Sequence, residues 1–168
     1  MTDQALLKIS PLPAWVKPWV IPSLVALAAA IFIAVTRPNF GLIASQPIAI
    51  KIHLAFAVFT FGLGAVLLNS RKGAKFHRIA GWVWVSTIMI VAFSSLFITT
   101  ITPGRWWFIH ILSGLTLVST PFAVLAARRH KVKLHRAQMI NLYFGAMVVA
   151  GAFTFLPGRL MWQMFFGK

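Results

Sequence analysis

Five stretches of this chain run apolar for about 20 residues each, over residues 18–36, 48–69, 79–100, 106–127 and 137–156. A helix rises 1.5 Å per residue, so about 20 residues reach across a hydrocarbon core roughly 30 Å thick. Inside lipid the backbone must satisfy its own hydrogen bonds, which leaves only helices and closed barrels. The stretches show no strict alternation of apolar and polar residues, so they read as helices and not as barrel strands. With 60% hydrophobic residues over 168 positions, the expectation is an all-α integral membrane protein with five transmembrane helices. Trp15, Lys17 and Trp19 precede the first stretch as interfacial anchors. That stretch is too long, with too little of a cleavage site, for a removable signal peptide, so it is expected to stay as the first helix.

The charges orient the bundle. Sixteen basic residues face one acidic residue, for a formal net charge of +15. Eleven of the sixteen fall on one side of the expected spans: Lys8, Lys17, Arg71, Lys72, Lys75, Arg78, Arg128, Arg129, Lys131, Lys133 and Arg136. Arg37, Lys51, Arg105, Arg159 and Lys168 fall on the other. The excess of bases marks the cytoplasmic side, which puts the N terminus inside and the C terminus outside. In a soluble protein such a charge would suggest nucleic acid. Here the bases form short juxtamembrane loops, whose partners are anionic lipid headgroups.

Two segments read as copies of one another, about 48–105 and 106–159. In the first, His53 opens an apolar helix, the loop Arg71-Lys72-Gly73-Ala74-Lys75-Phe76-His77-Arg78 follows, and a second apolar helix runs to Pro103-Gly104-Arg105. In the second, His110, the loop Arg129-His130-Lys131-Val132-Lys133-Leu134-His135-Arg136 and Pro157-Gly158-Arg159 take the same places. The chain then divides into an N-terminal tail with a peripheral first helix, 1–47, and a four-helix core of two duplicated hairpins, 48–168, ending in a short tail. The topology pairs His53 with His110 near the outer surface and His77 with His135 near the inner one. His130 aligns with Lys72 and reads as a loop base.

A neutral imidazole offers one lone pair to a metal, and two rings on facing helices can hold an iron from both sides of a flat macrocycle. The paired histidines therefore point to b-type haem, two per chain. Without cysteine there is no C-x-x-C-H attachment, so both haems would be non-covalent. A macrocycle edge needs a small residue one turn along the ligand's face. Ala57, Gly81 and Gly114 meet that need after His53, His77 and His110, but Met139 follows His135. Haem propionates need bases near the surface: Lys51, Arg105 and Arg159 at the outer level, and Lys75, Arg78, Lys133 and Arg136 at the inner one. The outer histidines are the harder to explain without a ligand, because ionisable groups within the membrane are costly.

What is missing narrows the chemistry. Asp3, in the N-terminal tail, is the only carboxylate, so paired-carboxylate hydrolysis, carboxylate-bound magnesium or calcium and an acidic proton relay have no residues to use. There is no G-x-S-x-G elbow, no thiol nucleophile and no phosphate-binding glycine loop. Such a chain suits electron transfer, in which the cofactor carries the chemistry and the protein supplies ligands and spacing. Asn69, Gln138, Asn141 and Tyr143 are the polar residues that could line a quinone pocket on the inner side. Pro121 within the fourth span predicts a kink.

Over about residues 48–162, the pattern of His53, His77-Arg78-x-x-Gly81, His110 and His135-Arg136 resembles a family of small bacterial membrane proteins known as domain of unknown function 2306. That resemblance implies a bacterial inner-membrane location and names no activity. The layout also resembles the cytochrome b-561 group of transmembrane dihaem cytochromes, in which four consecutive helices each give one histidine. It implies the same pairing, His53 with His110 and His77 with His135.

The function expected from the sequence is thus a membrane b-type cytochrome that carries electrons across the bilayer through two bis-histidine haems. Its donor would be a quinol or a cytoplasmic reductant, and a protein partner or a second copy is compatible with the same surface. Three other readings are open: a haem-free accessory or scaffold subunit of a larger membrane complex, a single-haem protein using the outer pair only, and a copper site at the outer histidines. The copper site lacks an evident third ligand.

Overall fold

The computed structural model describes residues 27, 31–33, 35–98 and 108–167. The chain divides into two compact units, Met1–Pro38 and Asn39–Lys168. In the first, residues 27, 31–33, 35 and 36 are helical. The rest of the first apolar stretch, with Trp15, Lys17 and Trp19, lies outside the described residues.

The second unit is helical, with no strand among the described residues. A short α1, Gly41–Ala44, precedes α2, Ile48–Asn69, and α3, Lys75–Ser95. Then come α4, Phe108–Arg128, and α5, Val132–Asn141. The chain continues without a break through a π-helical segment, Leu142–Val149, into α6, Ala150–Phe153, and ends with α7, Leu160–Phe166. Among the described residues three helices are long and apolar enough to cross a membrane: Ile48–Asn69, Lys75–Ser95 and Ile109–Arg128. Helix α2 packs along α3, α3 along α4 and α4 along α5, while the π segment returns to touch both α4 and α2. These helices thus pack around one interior.

Local chemistry sets the ends of these helices. Pro47, with φ −53° and ψ 149°, stands before α2 in an extended conformation that its ring favours. At the other end the Lys72 ammonium donates to the carbonyls of Leu67, Leu68 and Ser70 at 3.1, 2.6 and 2.9 Å. These carbonyls lie at the helix end, where Leu67 O also accepts from Ser70 N–H at 3.2 Å, and a cation there offsets the helix dipole. Gly73 turns the chain at φ +77°. After α4 the same reversal is made by His130 at φ 56°. The amide of His130 bonds to Ala127 O and that of Lys131 to Ala126 O, the paired closure that ends many helices with a left-handed residue. That position favours glycine, and a histidine there carries strain.

Helices α3 and α5 begin at Lys75 and Val132, four and five residues before the apolar stretches at 79 and 137. The basic residues at these starts are helical, and charge excluded them from the apolar stretches without breaking the backbone. Likewise α3 ends at Ser95 in a turn over Leu96 and Phe97, short of residue 100. Nothing in the hydropathy pattern anticipates the π segment or α7.

The interior is built around Trp84, 4% exposed, whose indole N–H donates to Thr60 O at 3.0 Å. Gly64 makes the close approach possible. A Cβ there would stand 2.6 Å from the Tyr143 ring and 2.7 Å from Trp84 Nε1. Tyr143 in turn stacks on Phe61 with ring centres 5.6 Å apart. One glycine thus lets α2, α3 and the π segment meet, with Leu67, Ile88 and Met147 filling the space around them. At the basic end the Arg128 guanidinium lies 5.5 Å from the Trp82 ring centre, a cation–π contact between α3 and α4.

Candidate functional site

Four of the five histidines sit in the first two turns of their helices. His53 is six residues into α2, His77 three into α3, His110 three into α4 and His135 four into α5. His110 is only 3% exposed. His53, His77 and His135 are half-buried. His130 lies exposed in the turn between α4 and α5.

Three of these rings are oriented in the same way. His53 Nδ1 lies 2.9 Å from Ser94 Oγ, and the Ser94 hydroxyl donates to Val91 O at 3.0 Å. When its proton is so directed, the serine oxygen accepts and His53 donates from Nδ1–H. His77 Nδ1 lies 3.0 Å from Ser70 Oγ, whose hydroxyl donates to Leu67 O at 2.9 Å. The same arrangement lets His77 donate from Nδ1. His135 Nδ1 lies 2.9 Å from Ala123 O, and a carbonyl can only accept. In a neutral imidazole one nitrogen donates and the other keeps a lone pair. For His135 that lone pair is on Nε2, and for His53 and His77 it is there when the serine oxygen accepts.

The rings fall on two levels. Ser94 and Ser95 are consecutive at the end of α3. Ser94 holds His53 of α2, while Ser95 donates at 2.6 Å to Ser113 of α4, one turn from His110. His53 and His110 thus lie at one level, tied to the same end of α3. At the opposite end His77 and His135 are within Coulombic reach of one another, with Lys72 also near His77. Between the levels α4 carries Ser113, Thr116 and Thr120 on its buried face. Each donates to the carbonyl four residues back, at 3.0, 2.8 and 2.7 Å. A Cβ added at Gly81 or Gly114 would meet nothing within 4 Å, so both glycines border open space, while Ala57 is half-buried.

The bases are arranged around these levels in different ways. Lys75, Arg78, Lys133 and Arg136 are exposed, and Lys51 and Arg159 are half-buried. Arg105, like Trp106 and Trp107, lies outside the described residues. Residues one or two positions apart do not share a helix face. The bases next to His53, His77 and His135 therefore flank the ligand face without covering it. The four polar residues that could line one inner pocket are separated. The Asn69 amide donates to Ala65 O of its own helix at 2.8 Å, and Tyr143 is packed against Gly64. Gln138 and Asn141 line hollows beside α4.

Sequence reasoning located the histidines and missed what holds them. Ser94 is 41 residues from His53, beyond any spacing rule, and the acceptor for His135 is a backbone carbonyl. Ser70 was within reach as a signal. It lies seven residues before His77 across a loop containing Gly73, a separation that a tight turn folds back on itself.

An all-helical membrane protein with four histidines near the ends of its packed helices is the class that this fold and site define. The chain belongs to the predicted membrane protein family DUF2306, whose profile matches residues 50–167. No curated protein and no solved structure matches it.

Proposed function

We propose that this chain is a membrane b-type cytochrome of five transmembrane helices, carrying electrons across the bilayer through two non-covalent haems. His53 and His110 would hold the outer haem, and His77 and His135 the inner one. The observation that carries the reading is the shared contact of His53, His77 and His135, each with Nδ1 within 3.0 Å of an oxygen. Metal-bound histidines usually donate their other ring N–H to an oxygen, which fixes the ring and raises the basicity of the ligating nitrogen. Here such an oxygen stands at Nδ1 three times, and Nε2 is the nitrogen that would ligate. Among the described residues no cluster of three or more His, Cys, Asp or Glu donors forms, whereas axial ligation of a haem asks for two donors per level.

Each part of the chain then has a task. The serines and the Ala123 carbonyl orient the ligating rings. Gly81 and Gly114 leave room beside them. Lys51, Arg105 and Arg159 on one side, and Lys75, Arg78, Lys133 and Arg136 on the other, neutralise propionates. The iron, when bound, supplies one-electron chemistry. The basic loops face the cytoplasm of a bacterial inner membrane, so electrons would enter there from a quinol or a cytoplasmic reductant and leave to an acceptor outside. The fourth core helix of this scheme is the continuous run from Val132 to Phe153, and the core is two duplicated hairpins. The layout likeness to the cytochrome b-561 group supports the same pairing.

One observation favours a haem-free accessory subunit. The imidazole bonds to Ser94 and Ala123 also tie neighbouring helices together, α2 to α3 and α4 to α5. Haem-to-protein ratios of single variants decide between the readings. His110→Ala and His135→Ala should each halve the haem content of a chain whose helicity by circular dichroism is unchanged. Loss at His110→Ala alone supports one outer haem. Identical, haem-free preparations for all variants and the parent exclude both haem readings and leave the accessory subunit, with metal analysis testing for copper.

A further inference from the structure

We propose that the groove between α4 and α5 is a binding site for a single anionic phospholipid, with the phosphate on Arg129 and Lys131 and an acyl chain laid along α4 and the π segment. The proposal does not depend on haem. Two hollows form the groove and share Gln138. The one at the basic end encloses about 260 Å³ and is lined by Arg129, Lys131 and Gln138 beside Phe122, Leu125 and Leu134. The one further along encloses about 110 Å³, with Leu112, Leu115, Gly145 and Ala146 in its wall beside the polar Thr116, Ser119 and Asn141. Small-molecule pockets run to roughly 300–1,000 Å³. A first hollow of this size seats a headgroup and does not engulf a ligand.

Two cations stand at the mouth of the groove beside Phe122, Leu125 and Leu134, and further along apolar side chains alternate with the hydroxyls and amides of Thr116, Ser119, Gln138 and Asn141. The turn that brings the cations together is the one closed by His130 at φ 56°, with Arg129 N–H on Leu125 O and Lys131 N–H on Ala126 O. The same left-handed residue therefore presents both bases to one hollow. No carboxylate lies among the described residues to neutralise them, since Asp3 is the chain's only acid. The walls are open to the surroundings, with Phe122 64%, Leu115 58% and Leu134 47% exposed. Beside the groove the helix is in π register, a distortion that often accompanies binding sites.

Native mass spectrometry of the delipidated full-length protein in a mild detergent tests the proposal. The probes are dioleoyl phosphatidylglycerol, dioleoyl phosphatidylcholine, inorganic phosphate and a short-chain ubiquinone analogue. One phosphatidylglycerol should bind in clear preference to phosphatidylcholine. Each of Arg129→Ala and Lys131→Ala should weaken it about fivefold and the pair about thirtyfold, at roughly 1 kcal/mol per interfacial cation. Arg71→Ala, an exposed base in the other loop, should leave binding unchanged. Gly145→Leu fills the second hollow while keeping both cations, and should remove the preference for dioleoyl over dihexanoyl chains. Equal binding of the two phospholipids, or an equal loss with Arg71→Ala, overturns the site. So does full competition by millimolar phosphate, which would show an anion site without a lipid, and so does charge-independent binding of the quinone.

Discussion

Substituting Gly64 with alanine should loosen the junction of α2, α3 and the π segment. The new methyl would stand 2.6 Å from Tyr143 Cδ2 and Cε2 and 2.7 Å from Trp84 Nε1, so at least one ring must move. Neither has free space, since Trp84 is 4% and Tyr143 7% exposed. If the indole moves, it leaves Thr60 O, now 3.0 Å away, and a buried polar group without its partner costs about 1–3 kcal/mol. Overpacking a well-filled interior costs about 1–3 kcal/mol besides. Alanine recovers roughly 0.5–1 kcal/mol of helix preference over glycine. The net loss is about 1–5 kcal/mol. At roughly 2–4 °C per kcal/mol for a chain of this size, intrinsic-fluorescence melting in detergent should fall by at least a few degrees. Gly62→Ala is the control, because a Cβ there meets nothing within 4 Å, and it should melt at or slightly above the parent. A Gly64→Ala protein as stable as Gly62→Ala would refute the packing described at this junction.

Three further outcomes follow from the same structure. His130→Gly should raise stability by about 0.5–1 kcal/mol, because a left-handed histidine costs roughly 1–2 kcal/mol and glycine's extra backbone entropy returns part of it; the midpoint of denaturant unfolding checks this. Lys72→Met removes the cation that caps three carbonyls at the end of α2, and should lower that midpoint by about 0.3–1 kcal/mol. Ser94→Ala and Ser70→Ala remove the acceptors that hold His53 and His77. Each should weaken haem retention at its own level by about 10–100-fold, measured as haem transfer to an apo-globin acceptor, with the other level unaffected.

The membrane class and the positions of three long apolar helices were legible because apolar length and juxtamembrane charge act locally along the chain. Helix ends were less so. Lys75, Arg78, Lys133 and Arg136 are helical in the structure, yet their charge hides the first turn of α3 and α5 from any reading based on hydropathy. The histidines stood out as ionisable residues in a nearly carboxylate-free chain. Their orienting partners did not, because Ser94 and the Ala123 carbonyl are brought to them only by helix packing. The role of Gly64 was equally hidden. A glycine in an apolar helix is common, and only the rings of Trp84 and Tyr143, from 20 and 79 positions away along the chain, show why no side chain fits there.

The most direct test of the central claim is the visible spectrum of the full-length protein, purified from haem-replete cells, before and after dithionite. Two b-type haems per chain are expected, with a reduced α-band in the b-haem range and the low-spin signature of paired imidazole ligands. A folded, monodisperse and colourless protein, unchanged by dithionite, would contradict it.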